Sequence, residues 1–229
     1  MKEIKIKAIE KIVTYQGEGF DAGERMLLIR TKNCDRVVEA KSPCEFCDTL
    51  KKMQTGKEEE HSLDELQQVL YSEYAGLLIT GGEPTFSYHF QDTLDMLTYL
   101  DYRFANVESN GFALDELIRL APSYKNIRYV FSPKIFSDDD LRKAIKTIVN
   151  VGYLPNLLFK IVIEKNENKH LNLFLNYLLK QKNFNDRIYL MPEGKTGEEI
   201  IKNSKKCISL CDLYKVNFSS RDHVIYNFA

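Results

Sequence analysis

The sequence predicts an α/β fold with a mostly parallel sheet, built from βα units that form a closed or half-closed barrel. After residue 75, apolar runs typical of buried strands alternate with stretches whose apolar residues recur at helical spacing. Such alternation is typical of parallel sheets, because each helix carries the chain back to start the next strand in the same direction. No repeat and no Pro/Gly/Ser-rich linker interrupts the pattern, so we expect one domain over residues 1–229.

The strands and helices follow in chain order from these patterns. Strands are predicted at residues 26–31 (MLLIRT), 76–80 (GLLIT), 104–109 (FANVES), 127–132 (IRYVFS), 157–163 (LLFKIVI), 187–191 (RIYLM) and 215–219 (KVNFS). Helices are predicted at residues 90–100, 114–120, 138–149, 169–179 and 198–213. A further helix begins near Ser62, which forms a capping-box pattern with Glu65. Residues 51–61 (KKMQTGKEEEH) are mostly polar and are predicted to be a solvated loop.

Composition narrows the class of protein. The formal net charge is −1, which indicates no bulk attraction to nucleic acid or to an anionic membrane. No apolar run approaches the length of a membrane span, and the N-terminus lacks the apolar region of a signal peptide. We therefore expect a cytoplasmic protein. In a reducing cytosol, three cysteines close in sequence favour a metal or catalytic site over disulfides.

Polar motifs follow four of the predicted strands at the point where each strand ends. They are TGGEP at residues 80–84, ESNG at 108–111, SPK at 132–134 and MPEG at 191–194. Because ligands gather at the carboxyl ends of parallel strands, these motifs predict one shared cleft.

The cysteines Cys34, Cys44 and Cys47 offer three thiolates at the spacing C-x9-C-x2-C. Three thiolates on a four-iron cluster leave one iron open for a further ligand. The alternatives are a structural zinc site completed by a distant residue, or buried cysteines with no metal. Asp48 and Thr49 follow directly and offer hard oxygen ligands of the kind that Mg²⁺ prefers.

Two further features suit a small polar ligand. In YQGEG at residues 15–19, the glycines would allow close backbone approach, and Gln16 and Glu18 could read the edge of a heterocycle by paired hydrogen bonds. A glycine-rich turn is the alternative. Arg30 could hold a carboxylate bidentately, or pair with a neighbouring acid.

Together these residues resemble the 7-carboxy-7-deazaguanine synthase family of the radical S-adenosylmethionine superfamily. The matching elements appear in the family's order: QGEG at 16–19, Arg30 four residues before Cys34, CEFCDT at 44–49, TGGEP at 80–84, ESNG at 108–111, SPK at 132–134, Pro192 and His223. The resemblance implies an incomplete (β/α) barrel of the radical S-adenosylmethionine type, and a homodimer.

The resemblance also assigns residues to ligands. Cys34, Cys44 and Cys47 would hold a [4Fe–4S] cluster, and Thr49 would ligate Mg²⁺. S-adenosyl-L-methionine would contact Phe46, Cys47, Asp48, Gly82, Glu83, Ser109, Ser132, Pro133, Lys134, Met191, Pro192, Glu193 and Gly194. The substrate, 6-carboxy-5,6,7,8-tetrahydropterin, would contact Tyr15, Gln16, Gly17, Glu18, Arg30, Thr80, His223 and the carboxylate of Ala229.

The implied reaction is a radical ring contraction. An electron from a flavodoxin-like donor would cleave S-adenosylmethionine to a 5′-deoxyadenosyl radical, which removes hydrogen from C6 of the pterin. The ring contracts, hydrogen returns and ammonia leaves, giving 7-carboxy-7-deazaguanine for queuosine and other 7-deazapurines. The x9 spacing after Cys34 departs from the superfamily's usual x3, and ESNG stands where ETNG is common. The alternative functions are a glycyl-radical enzyme activase and a non-catalytic zinc-binding protein.

The remaining cysteines and histidines are predicted to lie outside the site. Cys207 and Cys211 read as buried cysteines of one helix. His61, His89 and His170 belong to no constellation and are predicted at the surface.

Overall fold

The computed structural model describes residues 4–41, 43–45, 47, 49–123 and 125–228. The chain divides into two compact units. The first unit consists of Met1–Tyr15 and Glu24–Tyr129, and the second of Gln16–Gly23 and Val130–Ala229. The expectation of one domain over residues 1–229 stays a prediction.

The first unit contains two groups of strands and five helices in its described residues. Its elements are β1 (Lys5–Ala8), β2 (Glu10–Tyr15), β3 (Arg25–Thr31), α1 (Asp35–Val38), α2 (Leu50–Thr55), β4 (Glu59–Ser62), α3 (Leu63–Glu73), β5 (Gly76–Gly81), α4 (His89–Tyr99), β6 (Ala105–Ser109) and α5 (Leu114–Leu120). Strands β2, β3, β5 and β6 are neighbours in that order; β2–β3 is antiparallel, and β3–β5 and β5–β6 are parallel. Strands β1 and β4 form a separate antiparallel pair.

The chain passes from the first unit to the second within β7 (Ile127–Phe131). The second unit continues with α6 (Asp138–Val151), β8 (Leu157–Ile163), α7 (Lys169–Leu179), a 3₁₀ turn (Asn185–Arg187), β9 (Ile188–Pro192), α8 (Gly197–Tyr214), β10 (Asn217–Phe218) and α9 (Asp222–Ile225). Strand β9 pairs in parallel with β8 on one side and with β10 on the other.

These elements confirm the α/β class that the sequence predicts. Most of the described strand pairs are parallel, and helices alternate with the strands along the chain. The described helices include none that is both long and apolar enough to cross a membrane.

Side chains that cap helices explain why several helices begin where they do. Ser62 Oγ accepts from the backbone N–H of Glu65 at 3.2 Å and starts α3, as the capping pattern predicts. Ser137, Asn168 and Thr196 cap α6, α7 and α8 in the same way.

Aromatic and aliphatic side chains fill the core of each unit. In the first unit, Met26, Leu28, Leu78 and Phe104 form a buried cluster. In the second unit, Phe131 packs edge-on against Phe159 and Phe174, and Phe184 stacks on Phe159 with ring centroids 5.1 Å apart. This packing stabilises the strands whose ends carry the polar motifs.

Two predictions about the first unit are wrong. Residues 51–61 are not one solvated loop, because they contain most of α2 and most of the strand β4, which has no apolar alternation. His61 and His89 are buried rather than at the surface, with relative exposures of 7% and 0%. His89 Nε2 accepts from the backbone N–H of Asn33 at 3.4 Å, which gives this buried ring a partner.

By contrast, Cys207 and Cys211 are buried on α8, as predicted.

Candidate functional site

The three clustered cysteines follow β3 directly. Cys34 is the residue before α1, and the backbone N–H of Cys47 donates to the carbonyl of Cys44 at 3.1 Å. All three thiols are half-buried. Phe46 and Asp48, which the sequence analysis assigns to S-adenosylmethionine, lie outside the described residues.

Cys34 lies in a polar environment. Its thiol faces Asp35 Oδ1 at 3.5 Å, and Asn110 Nδ2 approaches its sulfur at 3.9 Å. Burial, reinforced by the negative charges of Asp35 and Glu83, raises the pKa of the Cys34 thiol to about 12. A raised pKa favours the protonated thiol, whereas a metal binds the thiolate.

The glycines of TGGEP bring the end of β5 against the segment that leads into Cys34. A Cβ on Gly82 would lie 2.1 Å from the carbonyl oxygen of Asn33, and one on Gly81 2.4 Å from that of Thr31. Gly82 N donates to Thr31 O at 3.0 Å, and Glu83 N donates to Asn33 O at 2.7 Å. Only glycine fits at this close approach, so the motif helps to hold Cys34 in place.

Glu83 is the buried centre of this part of the first unit, with a relative exposure of 1%. Its Oε1 accepts from Thr85 Oγ1 at 2.6 Å and Ser109 Oγ at 2.7 Å, and its Oε2 accepts from Asn110 N at 2.6 Å. Burial raises the pKa of the Glu83 carboxyl, and these hydrogen bonds oppose that rise. The buried Glu83 carboxylate therefore connects TGGEP to ESNG through its hydrogen bonds to Ser109 and Asn110.

Arg30 and Thr80 occupy neighbouring positions on β3 and β5. Arg30 Nε donates to Glu10 Oε2 at 2.6 Å, and its Nη1 donates to Thr49 Oγ1 at 3.3 Å. Thr80 Oγ1 donates to Glu108 Oε2 at 3.1 Å. The structure thus brings together the guanidinium, the predicted magnesium ligand and an acid that neutralises the guanidinium. Tyr15, at the end of β2, is half exposed and lies opposite Arg25 in the β2–β3 pair.

In the second unit, the QGEG motif packs against the segment that contains His223. Asp222 N donates to Gly17 O at 2.9 Å, and a Cβ on Gly17 would lie 2.5 Å from His223 Nδ1. Gln16 Oε1 accepts from Glu18 N at 3.3 Å. Gly17 thus lies in close contact with His223 of the same chain, and its approach to a ligand stays a prediction.

Two buried cations hold the Glu18 carboxylate. Lys160 Nζ donates to Oε2 at 2.7 Å, and Arg221 Nε donates to Oε1 at 2.9 Å. His223 Nε2 lies 3.6 Å from the same Oε1. Arg221 Nη1 also donates to the carbonyl of Gly194 at 2.6 Å. This arrangement holds an ionised acceptor in a largely dry environment.

The other two predicted motifs end β7 and β9. Ser132 and Pro133 are buried, and Lys134 Nζ donates to Ser132 Oγ at 2.8 Å. Met191 and Pro192 are buried at the end of β9, and Glu193 N donates to Ile163 O at 3.1 Å. The Glu193 carboxylate accepts from Lys165 N at 2.8 Å. Ala229 lies outside the described residues.

Three residues of these clusters have no role in the sequence analysis: Asn110, Lys160 and Arg221. The sequence does mark Lys160 as unusual, since a lysine inside the apolar run LLFKIVI requires a buried partner. Asn110 belongs to the ESNG motif but was not assigned a contact. No pattern marks Arg221, which reaches Glu18 across 203 positions of sequence.

Among the described residues, no three His, Cys, Asp or Glu side chains converge closely enough to hold a single metal ion. A four-iron cluster binds each thiolate to a different iron, so its ligands lie farther apart than those of one ion.

Solved structures with a similar fold include QueE from Escherichia coli, with a TM-score of 0.59, 17% identity, and coverage of 96% of this chain and 95% of that one. Streptococcus suis SuiB bound to precursor peptide SuiA matches with a TM-score of 0.55, 11% identity, and coverage of 88% and 50%. SuiB bound to S-adenosylmethionine matches with a TM-score of 0.54, 12% identity, and coverage of 89% and 48%. The chain thus spans about half of SuiB, and at these identities the likeness concerns the fold alone.

The comparison with curated proteins gives no match. The family model described as the Radical SAM superfamily matches residues 28–192. This range is more than half of the chain and contains the three cysteines and the TGGEP motif. The chain therefore belongs to the Radical SAM superfamily, as its resemblance in sequence implies.

Proposed function

We propose that the chain is a radical S-adenosylmethionine lyase that converts 6-carboxy-5,6,7,8-tetrahydropterin to 7-carboxy-7-deazaguanine with loss of ammonia. The observation that carries the proposal is the buried carboxylate of Glu18, held by Lys160 and Arg221 within a motif that the superfamily's cluster chemistry does not require. The similarity of fold to QueE over nearly the whole of both chains also supports it.

The superfamily implies a [4Fe–4S] cluster and S-adenosylmethionine as cofactors. The chain's residues fit such a cluster, because three half-buried thiols supply soft ligands. Asn110 Nδ2, which donates to Asp35 Oδ1 at 2.7 Å, also lies 3.9 Å from the Cys34 sulfur. Cys34, Cys44 and Cys47 would hold it. When bound, the cluster would supply the electron that cleaves S-adenosylmethionine to methionine and a 5′-deoxyadenosyl radical.

Residues at the strand ends would bind S-adenosylmethionine. The backbone of Gly82 and Glu83 would hold its amino group, since the Glu83 carboxylate is occupied by internal donors. Ser132 to Lys134 would contact the ribose, and residues 191–194 would contact the adenine. Each contact orients the cosubstrate without taking part in bond cleavage.

The pterin would be recognised by acceptors for its N–H groups and by a cation for its carboxylate. Glu18 and Gln16 offer oxygen acceptors, and Arg30 offers the guanidinium. Magnesium belongs to the proposal through Thr49. Thr49 Oγ1 accepts from Arg30, and its second lone pair would ligate the ion.

The proposal includes a homodimer in the cytoplasm that receives electrons from a flavodoxin-like donor and feeds 7-deazapurine synthesis. These features are proposed because the resemblance in sequence implies them.

An anaerobic assay tests the proposal. Reconstituted protein is incubated with S-adenosylmethionine, a reductant and the carboxypterin, and 5′-deoxyadenosine, ammonia and the deazaguanine are quantified. All three should form in step, after iron and sulfide analysis has given about four irons per chain. Cleavage of S-adenosylmethionine with the pterin returned unchanged would reject the synthase assignment. A colourless protein containing zinc would reject radical chemistry as well.

A further inference from the structure

Lys160 and Arg221 carry buried charges, and Lys160 lies at a position where an apolar residue would fit the strand pattern. Lys160 lies in β8, whose other residues are all apolar, and it is 5% exposed. Arg221, before α9, is also 5% exposed. Burying an ionised side chain costs free energy, and replacing a buried ion pair by apolar residues is often neutral or stabilising. Stability alone therefore gives a poor account of these two residues.

Both residues act on the same carboxylate, from two different elements. Lys160 donates to Glu18 Oε2 and Arg221 to Glu18 Oε1, at 2.7 and 2.9 Å. An ionised carboxylate has about four acceptor positions in total, so it can accept from a ligand as well as from two cations. With a charged donor on each oxygen, the carboxylate is kept from rotating.

Arg221 has a second contact, which lies on a different motif. Its Nη1 donates to the carbonyl of Gly194 at 2.6 Å, while its Nε holds Glu18. Gly194 is itself tightly packed, because a Cβ there would lie 2.9 Å from the backbone nitrogen of Ile200. One guanidinium therefore joins the QGEG motif to the end of the MPEG motif.

We propose that Lys160 and Arg221 are positioning residues that hold the Glu18 carboxylate for the N–H groups of the pterin ring, and that Arg221 also links this contact to Gly194. The inference rests on the proposed function, in which QGEG binds the pterin. It assigns roles to two residues that do not belong to any of the matched motifs.

The test uses three variants of the reconstituted enzyme. Lys160→Met keeps the length of the side chain and removes its charge, Arg221→Lys keeps the charge and removes the forked contact, and Glu18→Gln removes the acceptor charge. Lys165→Met is the matched control, because Lys165 follows the same strand but is exposed and pairs with Glu199. Thermal unfolding of each variant monitors the fold.

Binding of 6-carboxy-5,6,7,8-tetrahydropterin is measured by anaerobic equilibrium dialysis without S-adenosylmethionine, so that no turnover occurs. Lys160→Met should raise the pterin Kd about 10-fold to 100-fold, as expected when a group that orients a binding residue is lost. The KM for S-adenosylmethionine should not change in this variant. Arg221→Lys should raise both the pterin Kd and that KM, since it loses the link to Gly194.

A double-mutant cycle separates positioning from a general structural effect. If Lys160 acts through Glu18, adding Lys160→Met to Glu18→Gln should weaken pterin binding little further. Lys160→Met leaves the Glu18 carboxylate paired with Arg221, so this single variant buries no uncompensated charge and should fold. Additive losses, or a pterin Kd in Lys160→Met equal to that of the wild type, would overturn the inference. Failure of the wild-type enzyme to bind the pterin would instead overturn the proposed function.

Discussion

Glu10 and Arg30 lie directly opposite each other in the antiparallel β2–β3 pair, and Arg30 Nε donates to Glu10 Oε2 at 2.6 Å. Glu10 Oε1 accepts from Lys52 at 2.6 Å, so one carboxylate binds two cations. Burial by itself raises the pKa of Glu10, but Lys52 and Arg30 together lower it below its usual value. The Nε–H of Arg30 is therefore occupied by its hydrogen bond to Glu10. The terminal nitrogens, one of which reaches Thr49, are the edge that can turn toward a ligand.

Arg30→Lys should weaken binding of the carboxypterin. A lysine keeps the charge beside Glu10 but cannot hold Glu10 and a second carboxylate through a planar fork. We expect a KM for the pterin about 10-fold higher, with the KM for S-adenosylmethionine unchanged. Arg25→Lys on the same strand is the control, because Arg25 pairs with Glu73 at the surface. Equal pterin KM values in both variants would remove Arg30 from the pterin site.

Cys44→Ala should abolish cleavage of S-adenosylmethionine and lower the iron content, because two thiolates hold a four-iron cluster poorly. The fold should persist, since Cys44 is half-buried and lies outside the strands. Iron analysis and far-UV circular dichroism check both points. Cys207→Ala, which removes a buried thiol of α8, should keep a full complement of iron. Full cleavage activity in Cys44→Ala would show that Cys44 is not a ligand.

Asn110→Ala should shift the reduction potential of the reconstituted cluster to a more negative value. The variant loses the N–H that approaches the Cys34 sulfur, and hydrogen bonds to cluster sulfurs favour the reduced state. A redox titration followed by electron paramagnetic resonance measures the shift. Asn172→Ala, on the exposed face of α7, should leave the potential at the wild-type value. Identical potentials in all three proteins would mean that Asn110 does not reach the cluster.

Gly82→Ala should destabilise the protein by about 3 kcal/mol or more, because its Cβ would collide with the carbonyl of Asn33 and push apart a closely packed backbone. Gly23→Ala is a useful comparison. Gly23 has a φ of +88°, but a Cβ added there would meet no atom within 4 Å, so only backbone strain of about 1–2 kcal/mol applies. Urea unfolding gives both values, and similar costs for the two variants would contradict the packing argument.

His89 should make the stability of the protein depend on pH. Burial lowers the pKa of His89 to about 4 from its usual 6.5, outweighing the opposing effect of Glu58. The unfolded chain therefore binds more protons than the folded one between these values. The contribution of His89 is fully present above about pH 6.5 and is lost as the pH falls toward 4, by up to about 3 kcal/mol.

Urea unfolding of the wild type and of His89→Gln at pH 7 and pH 5 checks this dependence. The variant should lose less free energy of unfolding than the wild type between the two pH values. The same loss in both proteins would assign the effect to other groups.

Periodicity and capping predicted much of the fold, because these signals are local. The bounds of β8, α5 and α7 coincide with the predicted ranges, and Ser62 caps α3 as its sequence pattern indicates. The strand β4 was not predicted, since its pairing with β1 is a distant contact and EEHS alone has no apolar alternation.

The site was predicted only as far as motifs mark it. The proximity of TGGEP to the segment before Cys34 follows from β3 and β5 being neighbours, an adjacency that was not predicted from the sequence. The burial of His89 and the contacts of Arg221 depend on side chains brought together from distant parts of the sequence, and no short pattern encodes them. Lys160 is the intermediate case, because its position in an apolar strand indicates a partner without naming it.

The contacts of Glu18 also bear on attempts to transplant this motif. Its two charged partners come from positions 142 and 203 residues further along the chain. Grafting QGEG alone onto a related scaffold would carry over the carboxylate without the cations that orient it. A chimera designed to exchange substrate preference would therefore need residues equivalent to Lys160 and Arg221 to be transferred together with QGEG.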